Sequence, residues 1–133
     1  MSEPVWIDKT VILLLHAQAL AEHGGSEGVS DNALLESALA RPKNLFAYEG
    51  VVDLPRLAAR YVFGIARNHP FVDGNKRAAF MALALLLALN GCRLRADQVE
   101  AVRTMFGVAA GEITEDELTN WIGRNMIQTN RGC

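Results

Sequence analysis

The chain has 133 residues, 50% of them apolar, and a formal net charge of −2. That length supports one domain over 1–133 with a core of its own, and that composition excludes a disordered or collagen-like chain. The small net charge gives no overall pull toward nucleic acid or an anionic membrane, so any phosphate recognition must be local.

Helical signals dominate along the chain. Asp8 or Thr10 caps a first helix that runs through His23 and stops at Gly24-Gly25. Ser30 is an N-cap for a second helix, Asp31 to Arg41, which is expected to end before Pro42. Residues 42–52 are mixed, and Leu45-Phe46-Ala47-Tyr48 reads as a short extended segment or hairpin arm. Asp53 caps a third helix with Pro55 in its first turn, running to about Asn68. A loop from His69 to Gly74 then opens into an apolar helix that stops at Asn90-Gly91. Its run from Ala78 to Leu89 is shorter than the ~20 residues a bilayer span needs, so it reads as a central helix covered on all sides. Asp97 starts another helix ending near Gly111. Thr114-Glu115-Asp116-Glu117 has capping-box spacing for a last helix to about Met126, and Thr129 to Cys133 is a polar tail expected to fray. The expected fold class is all-α.

Two cysteines, Cys92 and Cys133, make no disulfide framework and suit a reducing compartment. The N-terminus lacks the charged, apolar and small-residue succession of a signal peptide, so a cytoplasmic location is expected. The three histidines have no metal-ligand spacing, which argues against zinc. His16 and His23 read as structural or solvated, Glu36 and Arg41 as a surface pair, and Trp6 and Trp121 as packing or a partner face.

The chemistry concentrates in His69-Pro70-Phe71-Val72-Asp73-Gly74-Asn75-Lys76-Arg77. A polar loop emptying into a helix N-terminus presents unpaired N–H groups and a partial positive charge, a natural seat for phosphate. His69 is the side chain able to act as a base near neutral pH. Neighbouring cations and the helix end disfavour its protonated form. Phe71 packs the loop into the core so that His69 is aimed. Asp73 suits either a helix cap or a Mg²⁺ ligand, since Mg²⁺ takes one or two carboxylates plus phosphate oxygens. Gly74 lets an anion approach the backbone, and Asn75 suits either a cap or a phosphate contact. Lys76 and Arg77 stand where the helix dipole disfavours cations, which points to an expected anion. Arg67 is either a third cation of this site or a charge favourable to the end of its own helix.

This string resembles the signature of the Fic/Doc superfamily, H-P-F-x-[D/E]-G-N-x-R, and Lys76 before Arg77 is similar to its Doc (death-on-curing) branch. Gly28-Val29-Ser30-Asp31, the stretch Leu34 to Pro42, and Ala47-Tyr48-Glu49 resemble segments that those toxins carry upstream, so the likeness runs from about Ile7 to Met126. It implies a helical bundle around the helix that follows the motif, with residues 42–52 as a flap or hairpin aligning the target. It also implies ATP and Mg²⁺ as cofactors, with His69, Asp73, Lys76 and Arg77 catalytic, Asp73 on the metal, and Arg67, Gly74, Asn75, Lys76 and Arg77 on the nucleotide.

Relatives that transfer AMP usually have Gly where Lys76 stands and a second Arg where Phe80 stands. The Doc branch departs in the same way, so the resemblance favours a protein kinase that moves the γ-phosphate to a Ser or Thr hydroxyl, with translation elongation factor Tu as target. Pro70 and Gly74 match the AMP-transferring pattern, which keeps AMP transfer as the alternative. The chain lacks the inhibitory string [S/T]-x-x-x-E-[G/N], so restraint is expected from a Phd-like antitoxin whose C-terminal helix lies in a groove. A non-catalytic, antitoxin-binding co-repressor is the rival from another class. The intact motif argues against it, and the near-neutral charge argues against direct DNA binding.

Overall fold

The computed structural model describes residues 3–129. Among them the elements follow as α1 (Lys9–His23), α2 (Asn32–Glu49), α3 (Leu54–Asn68), α4 (Asn75–Leu89), β1 (Cys92–Leu94), α5 (Gln98–Ala109), α6 (Glu115–Asn125) and β2 (Met126–Gln128). The fold is all-α with one short sheet. Cys133 and most of the expected polar tail lie outside the described residues.

Short polar side chains start α1, α2, α5 and α6 by pairing first-turn N–H groups that lack a helical partner, whereas Asp53 stands at the N-cap of α3 without a side-chain hydrogen bond. Asp8 accepts from Thr10 N–H at 2.8 Å, Asp31 from Leu34 at 3.0 Å and Asp97 from Glu100 at 3.2 Å. Thr114 and Glu117 close the capping box at 3.1 and 2.8 Å. The cap of α2 is Asp31 rather than Ser30, whose hydroxyl donates to the Pro70 carbonyl at 3.2 Å.

α2 does not stop at Pro42. It continues to Glu49, so the extended or hairpin arm expected within residues 42–52 is helix over most of its length. An interior proline forfeits one hydrogen bond and crowds the carbonyl four residues back, at a cost of ~3 kcal/mol. Burial offsets it: Pro42, Leu39 and Leu45 are buried, and Phe46 meets Trp6 edge-on at 5.8 Å. Gly50, at φ 67°, closes the helix with its N–H on the Phe46 carbonyl at 2.9 Å. The short sheet lies elsewhere: β1 and β2 run antiparallel, with Cys92 opposite Gln128 and Leu94 opposite Met126.

α3 packs against α2, α4, α5 and α6 and buries Leu57, Tyr61, Val62 and Ile65 completely. It shares the centre of the bundle with α4, which buries Ala78, Ala82, Leu83, Leu86 and Leu87 but leaves Phe80 and Met81 half-buried and Leu89 exposed. α4 is therefore covered on most sides, not all. Arg60 and Arg56 fasten α3 to the first turn of α6 through Glu115 at 2.9 Å and Asp116 at 2.7 Å. Trp121 ties α6 to α5 by donating to Glu100 at 2.6 Å. Glu36 pairs with Lys9 at 3.0 Å, not with Arg41. No described helix is long and apolar enough to cross a membrane.

Candidate active site

The loop joining the two central helices is built by pinning its backbone. The Pro70 carbonyl accepts from Ser30 N–H at 2.8 Å and Asp31 N–H at 3.2 Å, and Val72 N–H donates to Gly28 at 3.0 Å. Val29 and Phe71 form a bridge between the same segments. Asn75, buried, grips Phe71 twice: its Oδ1 accepts the Phe71 N–H and its Nδ2 donates to the Phe71 carbonyl, both at 2.9 Å. Phe71 is 2% exposed and acts as the expected anchor.

His69 stands at the other end of this arrangement. It caps α3 at φ 51° and ψ 58°, with its N–H on the Ile65 carbonyl at 3.2 Å, and its side chain is exposed. Among the described residues it is the one non-glycine at positive φ. A side chain held in that left-handed region stores about 1–3 kcal/mol of strain, a condition that clusters at functional positions.

Asp73 is held at three points. Its Oδ1 accepts the Gly74 N–H at 2.8 Å, its Oδ2 accepts the Ser26 N–H at 3.3 Å, and its backbone carbonyl lies 2.7 Å from His16 Nε2. Gly74 is the N-cap of α4 in a left-handed conformation at φ 73°, and no side chain caps that helix. The first-turn N–H groups of Asn75, Lys76 and Arg77 are thus left for an anion.

Asp73, Gly74, Asn75, Lys76 and Arg77 line a cavity of about 790 Å³. The rest of its lining is largely apolar and includes Phe80 from α4, Leu94 from β1 and Val102, Met105 and Phe106 from α5. Lys76 Nζ stands 4.7 Å from the centre of the Phe106 ring. The lining does not include His69 or Arg67. Arg67, in the last turn of α3, lies over Gly111, 3.5 Å from where a β-carbon there would sit. Five of the seven expected site residues thus line the cavity, and His69 and Arg67 are not among its lining residues.

The donor set fits a cation of one kind. Among the described residues no group of three or more His, Cys, Asp or Glu could hold a metal. Asp73 is an exposed carboxylate whose two oxygens each accept one backbone N–H, which leaves each with a further lone pair. That suits Mg²⁺, which binds through one or two carboxylates and completes its shell with phosphate and water.

Sequence reasoning missed several parts of the site. His16 is buried and contacts Asp73, residues 26–31 brace the loop, and α5 supplies the apolar wall. One signal was available for His16: its place on the face of α1 that also carries Ile12, Ala19 and Leu20.

Comparison with known proteins points to one family. A model of the Fic/DOC family matches residues 6–87. The protein named "Protein kinase doc" of Escherichia phage P1 is 33% identical over 113 residues, which cover 85% of this chain and 89% of that one. "Toxin Doc" of Mycolicibacterium smegmatis is 46% identical over 77 residues, 56% of this chain and 58% of that protein.

Proposed function

The chain belongs to the Fic/DOC family, and from that premise we propose that it is a Doc-type toxin that transfers the γ-phosphate of ATP to a Ser or Thr hydroxyl of a target protein. The observation that carries this reading is the uncapped start of α4 in a cavity that Lys76, Arg77 and Asp73 also line. Such a site binds and neutralises a phosphate chain with backbone N–H groups and full charges together.

In the proposed reaction His69 takes the proton of the attacking hydroxyl. The new O–P bond forms on the γ-phosphorus as its bond to the β-bridging oxygen breaks, and ADP leaves. Lys76, Arg77 and the open N–H groups stabilise charge on the phosphoryl oxygens. Asp73 would hold Mg²⁺, which supplies further charge neutralisation when bound. The apolar wall from α5 offers a surface for the base.

Lys76 and Phe80 support phosphoryl over adenylyl transfer. A lysine side chain occupies space that glycine leaves to the α- and β-phosphates, and Phe80 replaces a cation with an apolar ring. Elongation factor Tu is the proposed target. A Phd-like antitoxin is the proposed partner, its C-terminal helix lying along the apolar side of α5 and the cavity. The test is reaction with ATP labelled at the α- or γ-phosphate, followed by mass spectrometry of the target. A gain of roughly 80 Da with label from the γ-position is expected for phosphorylation. An adenylyl gain with release of pyrophosphate would overturn the kinase reading.

A further inference from the structure

His16 is the one buried histidine of the three in this chain, 4% exposed on α1. Its ring stacks on Phe71 with centroids 3.9 Å apart and planes 20° from parallel, and its Nε2 lies 2.7 Å from the Asp73 carbonyl oxygen. A carbonyl oxygen only accepts, so Nε2 carries the proton and donates it. In a trans peptide the C=O and N–H point in opposite directions. Holding the Asp73 carbonyl toward α1 therefore turns the Gly74 N–H away from α1, where it meets Asp73 Oδ1 at 2.8 Å. Gly74, at φ 73°, has the backbone freedom that would otherwise let this peptide rotate. The ring also walls that glycine in: a β-carbon on Gly74 would lie 3.5 Å from His16 Nε2.

We propose that His16 is a positioning residue that locks the Asp73–Gly74 peptide and so aims the Asp73 carboxylate at the cation bound with the nucleotide. The inference rests on the Mg²⁺–ATP reading above. His16 is not among the residues lining the cavity. It acts through the orientation of a carboxylate whose partners are backbone donors, in the way an outer-shell group fixes a metal ligand.

Two variants separate the hydrogen bond from the packing. His16→Gln places an amide N–H near the position of Nε2, and His16→Phe keeps a ring on Phe71 without the donor. Calorimetric titrations of the parent and both variants with ATP alone and with Mg²⁺–ATP read the effect, beside melting temperatures. His16→Phe is expected to weaken Mg²⁺–ATP binding roughly 10–100-fold and to leave metal-free ATP binding unchanged, with His16→Gln close to the parent. A merely structural role would lower the melting temperature and both affinities together. His16→Phe binding Mg²⁺–ATP as tightly as the parent would overturn the inference, as would His16→Gln binding as weakly as His16→Phe. Failure of the parent to bind Mg²⁺–ATP would overturn the nucleotide reading, and the inference with it. The ¹⁵N shifts of the His16 ring in the parent need no variant to fold. A proton on Nδ1 with Nε2 bare would refute the hydrogen bond directly.

Discussion

His69 and Tyr61 are the residues whose local chemistry makes the sharpest demands. The left-handed backbone at His69 is unfavourable for any side chain with a β-carbon and neutral for glycine. His69→Gly is therefore expected to be more stable than His69→Ala by about 1 kcal/mol in denaturant titrations, while both abolish transfer and growth arrest. Equal stability of the two would mean that the loop relaxes and stores no strain. A well-folded His69→Ala that still arrests growth would remove the base from the mechanism. Tyr61 is fully buried and its hydroxyl oxygen accepts the Ile7 N–H at 3.3 Å. Burial pushes its pKa above the ordinary 10.0. As pH rises through 10.0 the unfolded chain ionises first and binds fewer protons than the folded one, so stability falls with rising pH there. Tyr61→Phe should flatten that alkaline loss in melting curves, yet cost about 1–3 kcal/mol near neutrality by leaving the buried Ile7 N–H unpaired. That Asp73, Lys76 and Arg77 line one cavity was legible in the sequence because they share one short string. His16 was not, because its partner Asp73 lies 57 positions away and only the fold brings them together.

At the scale of elements, helix starts were readable and helix lengths less so. Asp8, Asp97 and the Thr114–Glu117 pair act locally, within three residues of the groups they cap, so their spacing suffices to find them. Pro42 misleads because its cost is local while its compensation is tertiary: α2 continues past it by packing on α3. β1 and β2 have three residues each, too few for a period-2 pattern to register, and their partners, Leu94 and Met126 among them, lie more than thirty positions apart in sequence. The α2–α3 contact also sets a close limit. A β-carbon on Gly64 would fall 2.8 Å from the Ala38 β-carbon and 2.9 Å from its Cα, with backbone on one side that cannot step aside. Gly64→Ala gains helix propensity but must push the helices apart, and overpacking of that kind costs about 1–3 kcal/mol. A lowered melting temperature is the expected result. A gain in stability would show that α2 shifts freely on α3.

The molecule as a whole closes its core on one side of α5 and leaves the other side apolar and open. Val99, Val102 and Phe106 are 56%, 50% and 56% exposed, and their spacing of three and four places them on one helical face. Exposed apolar side chains contribute little to folding, so a continuous stripe beside a cavity calls for a ligand to cover it. Lys76 over the Phe106 ring couples one end of the stripe to the phosphate seat and Val102 lines the cavity, whereas Val99 stands further along the helix and is not part of the cavity lining. Val99 can therefore separate neutralisation from catalysis. Val99→Asp should leave the melting temperature nearly unchanged, since surface substitutions shift stability by about 0.5 kcal/mol or less. Transfer of phosphate to the target should continue at the parental rate. If the antitoxin helix covers the stripe, the variant puts a charge where an apolar anchor is needed and arrests growth even when the antitoxin is co-expressed, because contacts at the centre of a helix-in-groove interface carry most of its affinity. Full neutralisation of the variant would place the antitoxin elsewhere. Loss of transfer in its absence would instead assign the stripe to the nucleotide or the target.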